Sequence, residues 1–164
     1  MFEKIRKMKN QKGFTLVELI VVLVILAILA AMLVPALTGY IDKANEEKVI
    51  ATTRQVVMAA QTEVSETYAS KTLTNNATIT IAGKVITNAD SAGTAFTTPE
   101  VDGKEIVKLA EVATLDASDN LTGLKNSIRE IVITYTDKGH VSKVVVKQGT
   151  KTCTYTESTG AYTF

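Results

Sequence analysis

GFTLVELIVVLVILAILAAMLVPALTGYI, residues 13 to 41, decides how the rest of the chain is read. No residue between Glu18 and Asp42 carries a formal charge, so the run exceeds the roughly 20 apolar residues that cross a bilayer as a helix. Ahead of it stand Lys4, Arg6, Lys7, Lys9 and Lys12 against Glu3 alone, a distribution that holds this end in the cytoplasm. A secretory signal shares the basic head and the apolar run, but its apolar region is shorter and ends at a small-residue cleavage site, and no clean A-x-A site precedes Asp42. Within the run Glu18 is the exception. A lone carboxylate at membrane depth is costly and is rarely kept without a partner.

Beyond the run, 164 residues leave room for one small domain. With no Trp and few aromatics, its core rests on Val, Ile, Leu and Ala. Cys153 is the single cysteine, so no internal disulfide staples the fold. Setting aside the first 13 residues leaves 13 basic and 16 acidic side chains, a net charge of −3. That balance disfavours nucleic acid, whose phosphates demand clustered Lys and Arg.

The apolar helix is expected to bend or break locally at Pro35, with Gly39 weakening the same place. It then continues as an amphipathic helix to about Tyr68, with Val49, Val56, Ala60, Val64 and Tyr68 on one face and Glu47, Arg54 and Glu63 off it. From Lys71 to Thr98 the composition turns to Thr, Asn, Ala and Gly, which reads as a loop carrying a short hairpin at Thr78–Ile81 and Val85–Thr87. Asp102 and Glu105 have the spacing of an N-cap and its N3 partner, which predicts a helix over about 103–113. Leu115 to Ser127 reads as a connection. Three strands follow, at Arg129–Thr136, Val141–Lys147 and Lys151–Glu157, with Ala161–Phe164 as a short addition. Strict alternation turns Ile131, Ile133, Tyr135, Val144, Val146, Cys153 and Tyr155 inward, onto Val56, Ala60 and Val64. The fold class is α+β: a long amino-terminal helix packed on a small antiparallel sheet.

Candidates for chemistry are few. His140 lies in a turn and reads as a solvated residue, while Cys153 has no His or Asn placed near it in sequence to activate it. There is no phosphate loop, no His/Cys cluster and no nucleophile elbow, so neither catalysis, a cofactor nor a metal is expected. Lys138, Lys143, Lys147 and Lys151 on the last strands read as protection of a sheet edge. Asn76-Ala77-Thr78 and Asn120-Leu121-Thr122 match the glycosylation sequon, a pattern that arises easily by chance.

Lys12-Gly13-Phe14-Thr15-Leu16-Val17-Glu18 resembles the class III signal of type IV pilins and pseudopilins, which is cut after a glycine ahead of the apolar run and carries a glutamate at the fifth mature position. Gly13 and Glu18 meet both requirements. The resemblance implies that a membrane-embedded prepilin peptidase cuts between Gly13 and Phe14 and methylates the new terminus on Phe14. It implies a leader at 1–13, a membrane-spanning and filament-core helix at 14–41 with Pro35 matching the family's proline, and a pilin head at 42–164. The head would hold the second half of the helix, a loop region at 71–128 and a meander at 129–164. Glu18 would pair with the amino terminus of a neighbouring copy, which fixes register between featureless apolar helices. Partners would be further copies in a homopolymer, the peptidase, the membrane assembly machinery and the bilayer before assembly. The chain would be a single-pass cytoplasmic membrane protein first and a surface pilus later, with adhesion or motility as its use. Where many pilins carry a glycine in mid-run this chain has Ala27, so the first part of the helix is expected to stay regular. A pseudopilin of a type II secretion or DNA-uptake machine would share the same leader. An anchored surface binding domain that never polymerises is the reading from a different class.

Overall fold

The computed structural model describes residues 13–71, 73, 76–90 and 100–164. Residues 1–12 of the expected leader, and 91–99 of the expected loop region, lie outside them. The chain divides into two units, one ending at Lys43 and one running from Ala44 to Phe164. Helix α1, Leu16–Ser70, contributes to both.

In the first unit every described residue is exposed, from Gly13 through Lys43. The helix passes Pro35 without the local break expected there. A proline deletes one ladder bond, but it is flanked by Ala31, Met32, Leu33 and Val34 before it and Ala36 and Leu37 after it, in which Ala, Leu and Met are strong helix formers. Thr38 Oγ1 also donates to the Pro35 carbonyl at 2.9 Å.

In the second unit α1 buries Val49, Thr52, Thr53, Val56, Ala59, Ala60, Val64 and Thr67. The threonines are tolerated because Thr52 and Thr53 donate back to the carbonyls of Lys48 and Val49, at 3.0 and 2.8 Å. Tyr68, expected on this face, is 49% exposed, and Thr67 takes the buried place. The drift is the mismatch between a seven-residue spacing and a helix of 3.6 residues per turn.

Against this stripe lies a six-stranded antiparallel sheet in the order β2-β1-β5-β6-β7-β8. Its strands are β1 Ala77–Ala82, β2 Val85–Asp90, β5 Ile128–Tyr135, β6 Val141–Gln148, β7 Lys151–Thr156 and β8 Ala161–Thr163. Six of the seven predicted inward residues are buried, with Tyr155 half-buried at the margin. The expected loop hairpin is β1–β2, but it is part of the main sheet, not an excursion from a meander. Register explains why: Ala77, Ile79 and Ile81 stand opposite Tyr135, Ile133 and Ile131, so one continuous apolar face results. The predicted connection after Leu115 also holds structure, since β3 Ala113–Leu115 pairs with β4 Leu121–Leu124. Thr122 Oγ1 donates to the Thr114 carbonyl at 2.9 Å across that pair.

Helix α2, Gly103–Leu109, is shorter than predicted, because Ala110 caps it and Glu111 turns the chain into a left-handed conformation with φ 56°. Asp102 caps it by accepting from the Lys104 N–H at 2.8 Å, while Glu105 pairs with Lys108 instead of closing the expected box. Gly103 is required by space. A Cβ there would stand 2.8 Å from Ile79 Cγ2 and 2.9 Å from Ile86 Cγ2, so only glycine lets α2 rest on the β1–β2 hairpin.

Gly139, in the β5–β6 turn, has φ 78°, and an added Cβ would meet Tyr68 Cγ at 2.8 Å. Gly139→Ala is therefore expected to cost about 2 kcal/mol, part backbone strain and part clash. In a Tyr68→Ala background the ring contacts are gone and only the 3.0 Å contact with Cβ of residue 68 remains, so the clash part shrinks, and urea titration of the four chains reads the difference. Additive losses would show that Tyr68 does not press on the turn.

Glu63 accepts the Asp102 N–H between α1 and α2. Burial, and then the negative charges of Asp102, Glu66 and Glu105, raise its carboxyl above the usual range against that bond's opposite pull. A carboxyl that binds its proton more tightly when folded weakens the fold where it is ionised, and this loss vanishes as pH falls through the raised value. Glu63→Gln is expected to stabilise the chain at neutral pH by less than about 1 kcal/mol, because solvent screens the site. In acid the two chains converge. Melting curves at both pH values check this, and an equal gap at each would refute it.

Candidate functional site

The candidate site is the head of α1. Gly13 and Phe14 precede the first helical residue in irregular chain, Phe14 is 90% exposed, and among the described residues none beyond the chain neighbours comes within 4 Å of where a Cβ on Gly13 would stand. The Gly13–Phe14 bond therefore sits on an open segment directly ahead of a regular helix. Open chain of this kind is what a protease can draw into its cleft.

Glu18 has its partner within its own first turn. Its Oε2 accepts from the Thr15 N–H at 2.8 Å and from Thr15 Oγ1 at 2.7 Å, while the Glu18 N–H donates to Thr15 Oγ1 at 3.2 Å. This is a capping box: Thr15 is the N-cap, Glu18 is the third helical residue, and each satisfies a backbone donor that the helix leaves open. Reading the run for its charge alone passes over this box, although Thr15-Leu16-Val17-Glu18 directly ahead of an apolar run is the pattern that announces it. The box uses the amide of Thr15, not that of Phe14, so cutting the Gly13–Phe14 bond leaves its atoms in place. Among the described residues Glu18 Oε1 accepts no bond. One oxygen faces inward to its own helix, and the other remains for a further donor.

Pro35 stands seventeen residues beyond Glu18, roughly 25 Å along a helix. The structure does not bring the two together. His140 is exposed, with Nδ1 3.6 Å from Glu157 Oε1. Cys153 is fully buried beside Thr53, and burial pushes its thiol up, which makes it a core residue rather than a nucleophile. The four lysines do not guard an edge. Lys143 and Lys147 lie on β6, an interior strand whose edge positions belong to β2 and β8, and Lys147 and Lys151 pair with Glu130 and Glu46. Both sequon asparagines serve turns: Asn76 Oδ1 accepts the Asp137 N–H at 2.9 Å, and Asn120 bonds Asp116 through its own N–H at 2.8 Å.

Residues 8–34 match the prokaryotic N-terminal methylation motif, the type IV prepilin-like leader. No curated protein and no solved structure matches the chain. The match covers the junction, the capping box and most of the apolar helix, and it reaches none of the second unit.

Thr15→Ala removes the two bonds made by Thr15 Oγ1 and leaves the Thr15 N–H bond to Glu18 Oε2, whereas Thr15→Ser keeps all three. Faster amide exchange at Glu18 is expected in the alanine variant of the detergent-solubilised chain, with the serine variant close to the parent. Equal exchange in all three chains would show that the box does not form.

Proposed function

We propose that this chain is the precursor of a type IV pilus subunit, held in the cytoplasmic membrane and then polymerised through its apolar helix. One observation carries the reading: a helix apolar and exposed at nearly every position from Leu19 to Ile41 is headed by a methylation motif. An apolar surface of that extent needs either lipid or other helices around it.

In this reading a membrane-embedded peptidase cuts after Gly13 and methylates the new amine on Phe14. Methylation of an amine preserves its positive charge. That cation sits at the amino end of a helix, where the helix dipole is also positive, so it gains from a carboxylate nearby. Glu18 Oε1 of a neighbouring copy supplies one, while Oε2 stays in its own capping box. Pairing across copies then fixes the axial register of surfaces that Leu, Ile and Val leave otherwise uniform. The second unit, built on the amphipathic half of α1, is the part displayed to the medium. Pro35 interrupts one bond of the ladder and marks where the core helix yields first, while Ala27 keeps the earlier stretch regular.

The mature chain is expected to begin at methylated Phe14, which intact mass and amino-terminal peptides read directly. A start at Met1 in assembled material would sink the proposal. Glu18→Ala is expected to leave cleavage and membrane insertion intact while filaments disappear. Microscopy of shed filaments beside immunoblots of the membrane fraction separates the two steps, and normal filaments would refute the pairing.

A further inference from the structure

The start of α1 decides whether the Gly13–Phe14 bond lies in open chain or inside a helix. Its first ladder bond runs from the Leu19 N–H to the Thr15 carbonyl, at 3.2 Å. A helix one residue longer would need the Glu18 N–H to donate to the Phe14 carbonyl, four residues back. That N–H donates instead to Thr15 Oγ1, at 3.2 Å. Further growth would also claim the Thr15 N–H for the carbonyl of residue 11, and Glu18 Oε2 holds that donor at 2.8 Å. The capping box thus occupies two donors that extension toward the amino end would use.

The start can slip two ways, and its surroundings favour one. Toward the carboxyl end every residue from Leu16 to Leu37 except Glu18 is apolar, and the next side chain of the N-capping type is Thr38. Fraying in that direction would bare backbone N–H groups to lipid, which offers them no acceptor. Toward the amino end Gly13 or Asn10 can serve as the cap, and either start places Phe14 in the helix. A bond held in a helix is closed to a protease, which draws in open chain.

We infer that Thr15 is a positioning residue for cleavage: its hydroxyl holds the start of α1 where Gly13 and Phe14 remain in open chain, and so presents their bond to the peptidase. The inference rests on the precursor reading above and adds to it what keeps the bond accessible. Glu18 has the smaller part in this step. Glu18→Ala keeps the bond from the N–H of residue 18 to Thr15 Oγ1, in line with the cleavage expected of that variant, whereas removing the Thr15 hydroxyl loses it.

Cleavage of the full-length precursor in membranes from the cells that make it tests this, with the products read by mass. Thr15→Val keeps the size of the side chain without its hydroxyl, Thr15→Ser keeps the hydroxyl on a smaller side chain, and Thr15→Asn supplies a capping oxygen on a different one. The valine chain is expected to be cut roughly two- to tenfold more slowly than the parent, the span that loss of one cap allows, and the serine and asparagine chains within about twofold of it. A second readout needs no enzyme: in the detergent-solubilised chain the Phe14 Cα chemical shift is expected to move toward helical values with valine and to stay with the parent in the other two. Equal rates in all four chains, or slowed cleavage without movement of the helix start, would overturn the positioning role and leave the precursor reading standing. A parent chain that is not cut between Gly13 and Phe14 would overturn both.

Discussion

A single helix here has to satisfy two surroundings, and the rest of the structure follows from that division. From Leu19 to Ile41 its side chains are apolar on nearly all sides and exposed among the described residues, a composition that suits hydrocarbon. From Val49 onward it is apolar on one stripe only, which suits a surface with water on one side and a sheet on the other. The sheet can come close because that stripe uses Val56, Ala60 and Val64, none larger than valine. Larger residues come from the sheet, as Ile79, Ile131, Ile133 and Tyr135, and the two sets interlock by size.

Much of this is legible in the sequence, and the reasons differ by element. The apolar run needs no partner to be recognised, because a charge-free stretch of that length suits hydrocarbon and little else. Strands β5 to β7 are legible because one face of the sheet is buried, and burial enforces alternation along Ile131, Ile133 and Tyr135. What stays hidden depends on partners far away in sequence. The β1–β2 hairpin looks like a threonine-rich loop until Ile79 is set beside Ile133, and no local pattern shows that pairing. The end of α2 is set by the left-handed Glu111, a conformation that its residue type does not announce. The lysines mislead for the same reason, since a strand becomes interior or edge only through its neighbours.

At the candidate site the balance is reversed. Gly13, Phe14 and Glu18 stand out through a short motif, and the match over residues 8–34 agrees with it. The element that escapes notice is Thr15, which is local and carries its own signal. A carboxylate in an apolar run draws attention to distant cations, whereas its first two donors lie one turn away.

The capping box also bears on time. In hydrocarbon, a helix whose first turn leaves its carboxylate unsatisfied carries a cost that only a partner or withdrawal relieves. With Oε2 already bonded to Thr15, the solitary chain carries no such urgency. If the chain polymerises as proposed, a pool of subunits can then accumulate unassembled, and the pace of growth passes from the chemistry of the subunit to whatever collects it.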